Sequence, residues 1–175
     1  MPYRKPEPIR PDHELAAFEC GDGLMNEWLR ERAVDNEAKG VTRTFVLCQD
    51  DDNTVVGFYG ITVGTMMRST LRGKHRHGMP SEVPMALLGR LAVDRTHQGR
   101  GLAKALVGEA IRTAIAAARH AGIAVIAVQA KDEGVAGFYE GLGFTRATHD
   151  PLMFFLRLAD VAAAFPELAD GSEGK

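Results

Sequence analysis

The stretch Gln98-Gly99-Arg100-Gly101-Leu102-Ala103 has the residue types and spacing of an anion-binding turn. An apolar run at 85–93 leads into it and reads as a strand, and a long alanine-rich segment follows it and reads as a helix. The first amides of a helix have no intrahelical acceptor, and the macrodipole concentrates partial positive charge there. Gly99 and Gly101 lack Cβ, so a bulky oxyanion can come close to the backbone. A phosphate or pyrophosphate is the ligand this arrangement implies. Two common phosphate motifs are excluded. No G-x-x-x-x-G-K-[ST] loop occurs, and Lys104 stands where a dinucleotide fingerprint needs its last glycine.

A second group of residues carries charge. Between positions 55 and 104 there are eight Lys and Arg (Arg68, Arg72, Lys74, Arg76, Arg90, Arg95, Arg100 and Lys104) against two acids, Glu82 and Asp94. The chain as a whole has a net charge of −2, so a local anion surface is set on a mildly acidic protein. Arg72, Lys74 and Arg76 lie in a segment read as a loop, 65–81, where phosphate contact is the functional option and a solvated surface the simpler one. His75, His77 and His97 invite a metal reading, but H-x-H without a nearby carboxylate or cysteine is weak, and no metal is expected. Asp50, Asp51 and Asp52 lack the alternation and terminal Glu of a calcium loop and read as a solvated hairpin turn.

The elements that must position these residues follow from periodicity. A length of 175 residues fits one domain, with an extended N-terminus at 1–12 and a mobile tail at 160–175. Apolar residues at helical spacing predict a helix over 23–39, stopped by Gly40. Segments 42–48 and 55–63 read as a hairpin. The helix after the glycine turn is predicted over 100–121, with Leu106, Val107, Ala110, Ile111, Ala114, Ile115 and Ala118 as its buried stripe. The continuous apolar run 123–128 reads as a strand buried on both faces, so strand, helix and strand make a parallel crossover. Asp132 is a candidate N-cap for a short helix at 133–142, Gly143 its left-handed stop, and 145–158 holds two last strands.

The pattern Q-x-x-G-x-A formed by Gln98, Gly101 and Ala103 resembles the pyrophosphate arm of GNAT N-acetyltransferases, which bind acetyl-CoA. Gly137-Phe138-Tyr139-Glu140-Gly141-Leu142-Gly143-Phe144 is similar to the A-x-x-F-Y-x-x-x-G-F segment of the same family, with Ala136 slightly off the commonest spacing. The resemblance runs from about residue 45 to 158. It implies an α/β fold with a mixed, mostly antiparallel sheet, flanked by helices, in which a parallel pair splays around the CoA site. It implies CoA contacts from Leu91, Ala92, Val93, Gln98, Gly99, Arg100, Gly101, Leu102, Ala103, Asp132 and Phe138. It also assigns Tyr139 as the acid that protonates the leaving thiolate, a role a phenol of pKa about 10 suits. The alternative is that Tyr139 only packs.

Many family members deprotonate the incoming amine with a glutamate on the strand before the pyrophosphate loop. Residues 87–93 here carry no acid. A lysine amine, pKa about 10.4, would need such a base, whereas an α-amine starts near 8 and an adjacent ester lowers it further. Arg90 offers a planar cation for phosphate instead. With Trp28-Leu29, Arg43-Thr44-Phe45-Val46, Val56-Gly57-Phe58-Tyr59-Gly60, Gly89-Arg90-Leu91-Ala92-Val93-Asp94 and Lys131-Asp132-Glu133, the chain resembles the TacT-type GNAT toxins of bacterial toxin–antitoxin pairs. That resemblance implies acetylation of the α-amine of aminoacyl-tRNA, a homodimer and a ribbon–helix–helix antitoxin, with Arg72, Lys74, Arg76 and Arg90 as tRNA contacts. The other readings are a GNAT enzyme for a small amine or a protein N-terminus, and a non-catalytic CoA-binding module. No run approaches the ~20 apolar residues of a membrane span, and no apolar segment follows the basic start as in a signal peptide. Cys20 and Cys48 have no redox or metal spacing and are expected to be reduced and buried. A cytoplasmic protein is the expectation.

Overall fold

The computed structural model describes residues 3–169. One seven-stranded sheet runs through it in the order β1-β2-β3-β4-β5-β7-β6, with β1 at Glu7–Pro8, β2 at Arg43–Cys48, β3 at Val55–Met67, β4 at Glu82–Val93, β5 at Val125–Gln129, β6 at Thr145–Arg146 and β7 at Met153–Arg157. The β4–β5 pair is parallel, and the β1–β2, β2–β3, β5–β7 and β6–β7 pairs are antiparallel. The fold is the mixed sheet expected. The parallel ladder joins Met85–Leu88 to Val125–Val128, and β4 continues past its end to Val93. Among the described residues no helix is long and apolar enough to cross a membrane.

The chain divides into two compact units, which are described separately. The first comprises residues 3–62 and 89–110. Its helices are α1 (Gly23–Glu31), α2 (Ala33–Lys39) and the first half of α3 (Leu102–Ala118). Asp22 caps α1 by accepting from the amides of Leu24 and Met25. The single helix expected over 23–39 is interrupted at Arg32, whose φ of −119° is stretched from the helical value while its ψ of −31° stays helical. Leu29 before the break and Ala33 after it are both fully buried in one core, with Ile9, Phe18, Val46, Cys48, Val55 and Phe58. Gly40, at φ +70°, ends α2 in the left-handed conformation that a C-terminal glycine allows. Trp28 stacks on Phe58 at 6.0 Å and Phe18 meets the same ring edge-on at 5.5 Å. The N-terminal segment is extended, and Arg4 secures it with hydrogen bonds to the carbonyls of Gln49 and Asp52 and to the side chains of Glu7 and Asn53.

The second unit comprises residues 63–88 and 111–169. Its core gathers Met66, Leu71, Val83, Val125, Ala127, Ala147 and Phe155. Four of the five β5 residues are fully buried, as a run without polar alternation requires. The basic segment read as a loop is more ordered than its composition suggests. Strand β3 reaches Met67, and two 3-10 turns follow at Arg68–Thr70 and Gly73–Arg76. Leu71, fully buried, anchors the segment between the two turns. Helix α4 (Glu133–Gly141) starts at Asp132, whose side chain accepts from the Val135 amide, and Gly143 takes φ +95°.

The expected mobile tail is helical as far as residue 169, in α5 (Leu158–Ala164) and α6 (Pro166–Ala169). Leu158 is buried and its amide donates to Ala124, the alanines that follow favour helix, and Pro166 occupies a first helical position. Residues 170–175 of that tail lie outside the described residues.

Both cysteines are free. Cys48 is fully buried, and Cys20 is only half-buried rather than buried as expected. Burial pushes the Cys48 thiol up to about 11 and also raises that of Cys20. Cys48 should therefore resist alkylation at neutral pH until the protein is unfolded, while the half-exposed Cys20 reacts first. Iodoacetamide labelling with peptide mass spectrometry checks the order, and early labelling of Cys48 would contradict its burial.

Candidate active site

The glycine turn is built as its sequence implies. Gly99 and Gly101 both stand at φ +79°, where side chains other than glycine are strained. A Cβ at either would meet nothing within 4 Å, so the backbone faces open space. The Gly101 carbonyl accepts the amide of Ala105, which makes Gly101 the entry to α3. The amides of Leu102 and Ala103 at the start of α3 have no acceptor within the helix. These features fit a pyrophosphate.

The side chains of the turn brace it rather than line it. The Gln98 amide nitrogen donates to the carbonyls of Cys20 (3.1 Å) and Val93 (2.9 Å), tying the turn to the end of β4. The Arg100 guanidinium donates to the Tyr3 hydroxyl (3.1 Å) and the Thr96 carbonyl (3.3 Å), and the Tyr3 hydroxyl meets His97 Nδ1 at 2.7 Å. Gln98 and Arg100 can therefore reach an anion through their backbone, while their side chains hold the turn in shape. Leu91 and Ala92 are half-buried on β4 and Val93 is buried, beyond the end of the parallel ladder.

Asp94 directly follows the strand and is held on both oxygens. Its Oδ2 accepts from the Glu19 amide at 2.9 Å, and its Oδ1 accepts from the Thr96 amide at 3.0 Å and the Thr96 hydroxyl at 2.7 Å. Burial works to raise its pKa, but these hydrogen bonds prevail and hold the carboxyl below the usual range. A carboxylate so committed fixes the turn; it is a poor proton acceptor. Arg90, one position after Gly89 on β4, lays its guanidinium over the Trp28 ring at 4.6 Å, and burial lowers its pKa.

Tyr139 lies in the second unit, near the end of α4, and is 6% exposed. Its ring meets Phe138 at 5.1 Å and Phe144 at 5.6 Å edge-on, and stacks with Phe154 at 6.2 Å. Its carbonyl accepts the amides of both Leu142 and Phe144, so backbone and ring are both fixed. Burial raises the phenol pKa, which keeps the proton on the oxygen through neutral pH. Phe138 is half-buried, and the Asp132 carboxylate caps α4.

The basic segment of the same unit is braced by its own cations. Arg68 donates to the Met79 carbonyl, Arg76 to the carbonyls of Leu71 and Ser69, and Arg72 Nε to the Arg146 carbonyl. Arg72, Lys74 and Arg76 are all exposed. His75 is not a solvated residue: its side chain is 18% exposed, meets Phe155 edge-on at 5.3 Å and lies 3.8 Å from Asp160. The one group of His, Cys and acidic side chains that could share an ion among the described residues is Glu7, His13 and Cys48. Both His13 nitrogens are engaged, one by the Arg10 amide and one by Glu7, and burial keeps the Cys48 thiol protonated, so the group reads as a His13–Glu7 hydrogen bond beside a buried thiol.

Residues that sequence reasoning missed are the braces: Tyr3, Glu19, Cys20 and Thr96 around the turn, and Arg146 beside α4. Only Asp94-x-Thr96 carries a local signal, since an aspartate commonly accepts from the amide two residues on.

Comparison with known proteins gives the family and the fold. The family model described as Acetyltransferase (GNAT) family matches residues 8–144. The chain is 37% identical over 161 residues to the tRNA-acetylating toxin of Mycobacterium tuberculosis, across 92% of this chain and 96% of that protein. It superposes on AtaT complexed with acetyl-methionyl-tRNAfMet with a TM-score of 0.86 and 28% identity, covering 92% of this chain and 98% of that one. A mutant of the AtaT toxin bound to acetyl-CoA and to the C-terminus of the antitoxin AtaR gives a TM-score of 0.78 and 25% identity, covering 92% and 97%. With its glycine turn, its tyrosine helix and its mixed sheet, this chain belongs to the GNAT acetyltransferase family.

Proposed function

We propose that the protein transfers the acetyl group of acetyl-CoA to the α-amine of an aminoacyl-tRNA, and so blocks that tRNA for translation. The state of Asp94 carries this reading. The strand that leads into the glycine turn has no acid from Leu87 to Val93, and the one at its end is locked by three hydrogen bonds. A site without a base suits an amine that is already neutral near pH 7, as the α-amine of an amino-acid ester is. The 37% identity to a tRNA-acetylating toxin supports the same substrate class.

Acetyl-CoA supplies the acyl group as an activated thioester. The backbone of Gly99–Ala103 would hold its pyrophosphate, and Leu91, Ala92 and Val93 would pair with its extended arm, because β4 runs past its ladder to β5. Phe138 and Asp132 are the further contacts proposed at α4. As the amine attacks the carbonyl carbon and the C–S bond breaks, Tyr139 gives its proton to the departing sulfur, while the amine releases a proton to water. Arg72, Lys74, Arg76 and Arg90 would hold tRNA phosphates, with Lys74 and Arg72 leading, since Arg76 already serves two carbonyls of its own segment. A homodimer, a cytoplasmic location and a ribbon–helix–helix antitoxin complete the reading. Complexes of the structural relative AtaT with its antitoxin AtaR support an antitoxin partner.

Two measurements test it. Neutralising Arg72, Lys74 and Arg76 together should leave acetyl-CoA affinity unchanged, raise KM for charged tRNA, and flatten the log–log salt dependence by about two. A small-amine enzyme would show no salt slope to flatten. In a pH profile, the rate should hold through pH 9 and fall only above about 10, because a general acid fails once deprotonated and burial has moved Tyr139 above the ordinary phenol value. An alkaline limb near pH 8 would point to a different acid.

A further inference from the structure

Helix α4 is short for the position it must hold. Nine residues do not make a stable helix in isolation, so the orientation of Tyr139 depends on what grips α4 from outside. One such grip comes from a residue with no part in the family pattern. Arg146, on β6, donates from Nη1 to Glu133 Oε1 at 3.0 Å and from Nη2 to Glu133 Oε2 at 3.4 Å. The same guanidinium also donates to Glu140 and to the Pro151 carbonyl. Glu133 opens α4 and Glu140 stands seven residues later, two turns along the same face. One planar cation thus clamps the first and last turns of the tyrosine helix to the β6–β7 hairpin.

The clamp reaches the tyrosine by two routes. Glu140 is the next residue after Tyr139 in the chain. Arg146 is also the cross-strand partner of Phe154, its guanidinium lies 5.0 Å from that ring, and the ring stacks with Tyr139. Stability alone does not explain the arrangement. Glu133 and Glu140 are 70% and 48% exposed, and ion pairs so exposed contribute little to folding. A planar fork that binds two carboxylates and one carbonyl at once instead defines direction.

We infer that Arg146 is a positioning residue for Tyr139, setting where the phenol stands when the thiolate leaves. The inference rests on the proposed role of Tyr139 as the acid. Small displacements of a reacting group cost up to about a hundredfold in rate, which sets the scale of the effect. Arg146→Gln removes the charge and the fork but keeps the backbone, so the Arg72 bond to the Arg146 carbonyl and the basic segment stay in place.

The test is a double-mutant cycle on the full protein, with acetyl-CoA and charged tRNA as substrates. Arg146→Gln should lower kcat about 10- to 100-fold, with acetyl-CoA affinity and the KM for tRNA within twofold of native. In the Tyr139→Phe background the same substitution should change kcat less than twofold, because there is no proton left to aim. Should Arg146→Gln fail to fold by circular dichroism, the pair Glu133→Gln and Glu140→Gln cuts the clamp from the helix side and should behave alike. Equal losses in both backgrounds, a change confined to KM, or native kcat in folded Arg146→Gln would each overturn the positioning role while leaving Tyr139 as the acid. Near-native turnover of Tyr139→Phe by itself would overturn both.

Discussion

Tyr139→Phe should bind acetyl-CoA as the native protein does and turn over 10²- to 10⁴-fold more slowly, the usual worth of general acid–base assistance. The substitution deletes one oxygen and its proton. The ring contacts with Phe138, Phe144 and Phe154 remain, and so do the two hydrogen bonds to the residue's carbonyl. Removing a buried hydroxyl also removes its desolvation, so stability should be unchanged or slightly improved. The loss should therefore appear in kcat and not in the melting temperature. Stopped-flow turnover beside calorimetric titration with acetyl-CoA separates the two, and a folded variant with near-native kcat would take the hydroxyl out of the reaction.

Gly101→Asp is expected to act on the other half of the chemistry by abolishing acetyl-CoA binding in a folded protein. Folding should survive because nothing lies within 4 Å of the new Cβ and an aspartate suits the entry of a helix. The cost to the backbone at φ +79° is about 1–2 kcal/mol. The cost to the ligand is larger. A carboxylate would sit where a pyrophosphate must, and like charges a few Å apart near a protein surface repel by several kcal/mol, a loss of affinity on the order of a hundredfold or more. Gly101→Ala separates the two effects, since it carries the strain without the charge and should lose only about tenfold. Equal and undiminished affinity in both variants would show that the turn does not hold the cofactor.

Much of this molecule was legible where its signals are local. The turn at Gly99 and Gly101, the cap at Asp132, the stop at Gly143 and the doubly buried β5 each follow from a few adjacent residues. So does the lack of an acid on the strand before the turn, since it needs only the identity of residues 87–93. What was not legible depends on partners far along the chain. The Asp94 carboxylate is locked by an amide 75 positions away, Gln98 is tied to a carbonyl 78 positions away, and Arg100 reaches a hydroxyl 97 positions away. Composition misled at the basic segment, where one buried leucine, Leu71, and three arginines donating to carbonyls order what reads as a solvated loop. Periodicity misled at Arg32, because the apolar spacing continues across the break and says nothing about a single residue's φ. It also passed over the helices at Leu158–Ala164 and Pro166–Ala169, which are too short to show a period.

The acceptor's identity separates a tRNA-acetylating enzyme from a small-amine acetyltransferase. Incubating the protein with labelled acetyl-CoA and a mixture of total charged tRNA, free amino acids and polyamines, followed by mass spectrometry of the nuclease-digested tRNA and of the small-molecule fraction, tests it directly. Label is expected on the α-amine of an amino acid still esterified to the terminal adenosine of one or a few tRNAs, with none on the free amines. Label on free amino acids or polyamines at a comparable rate, with charged tRNA left unmodified, would contradict it.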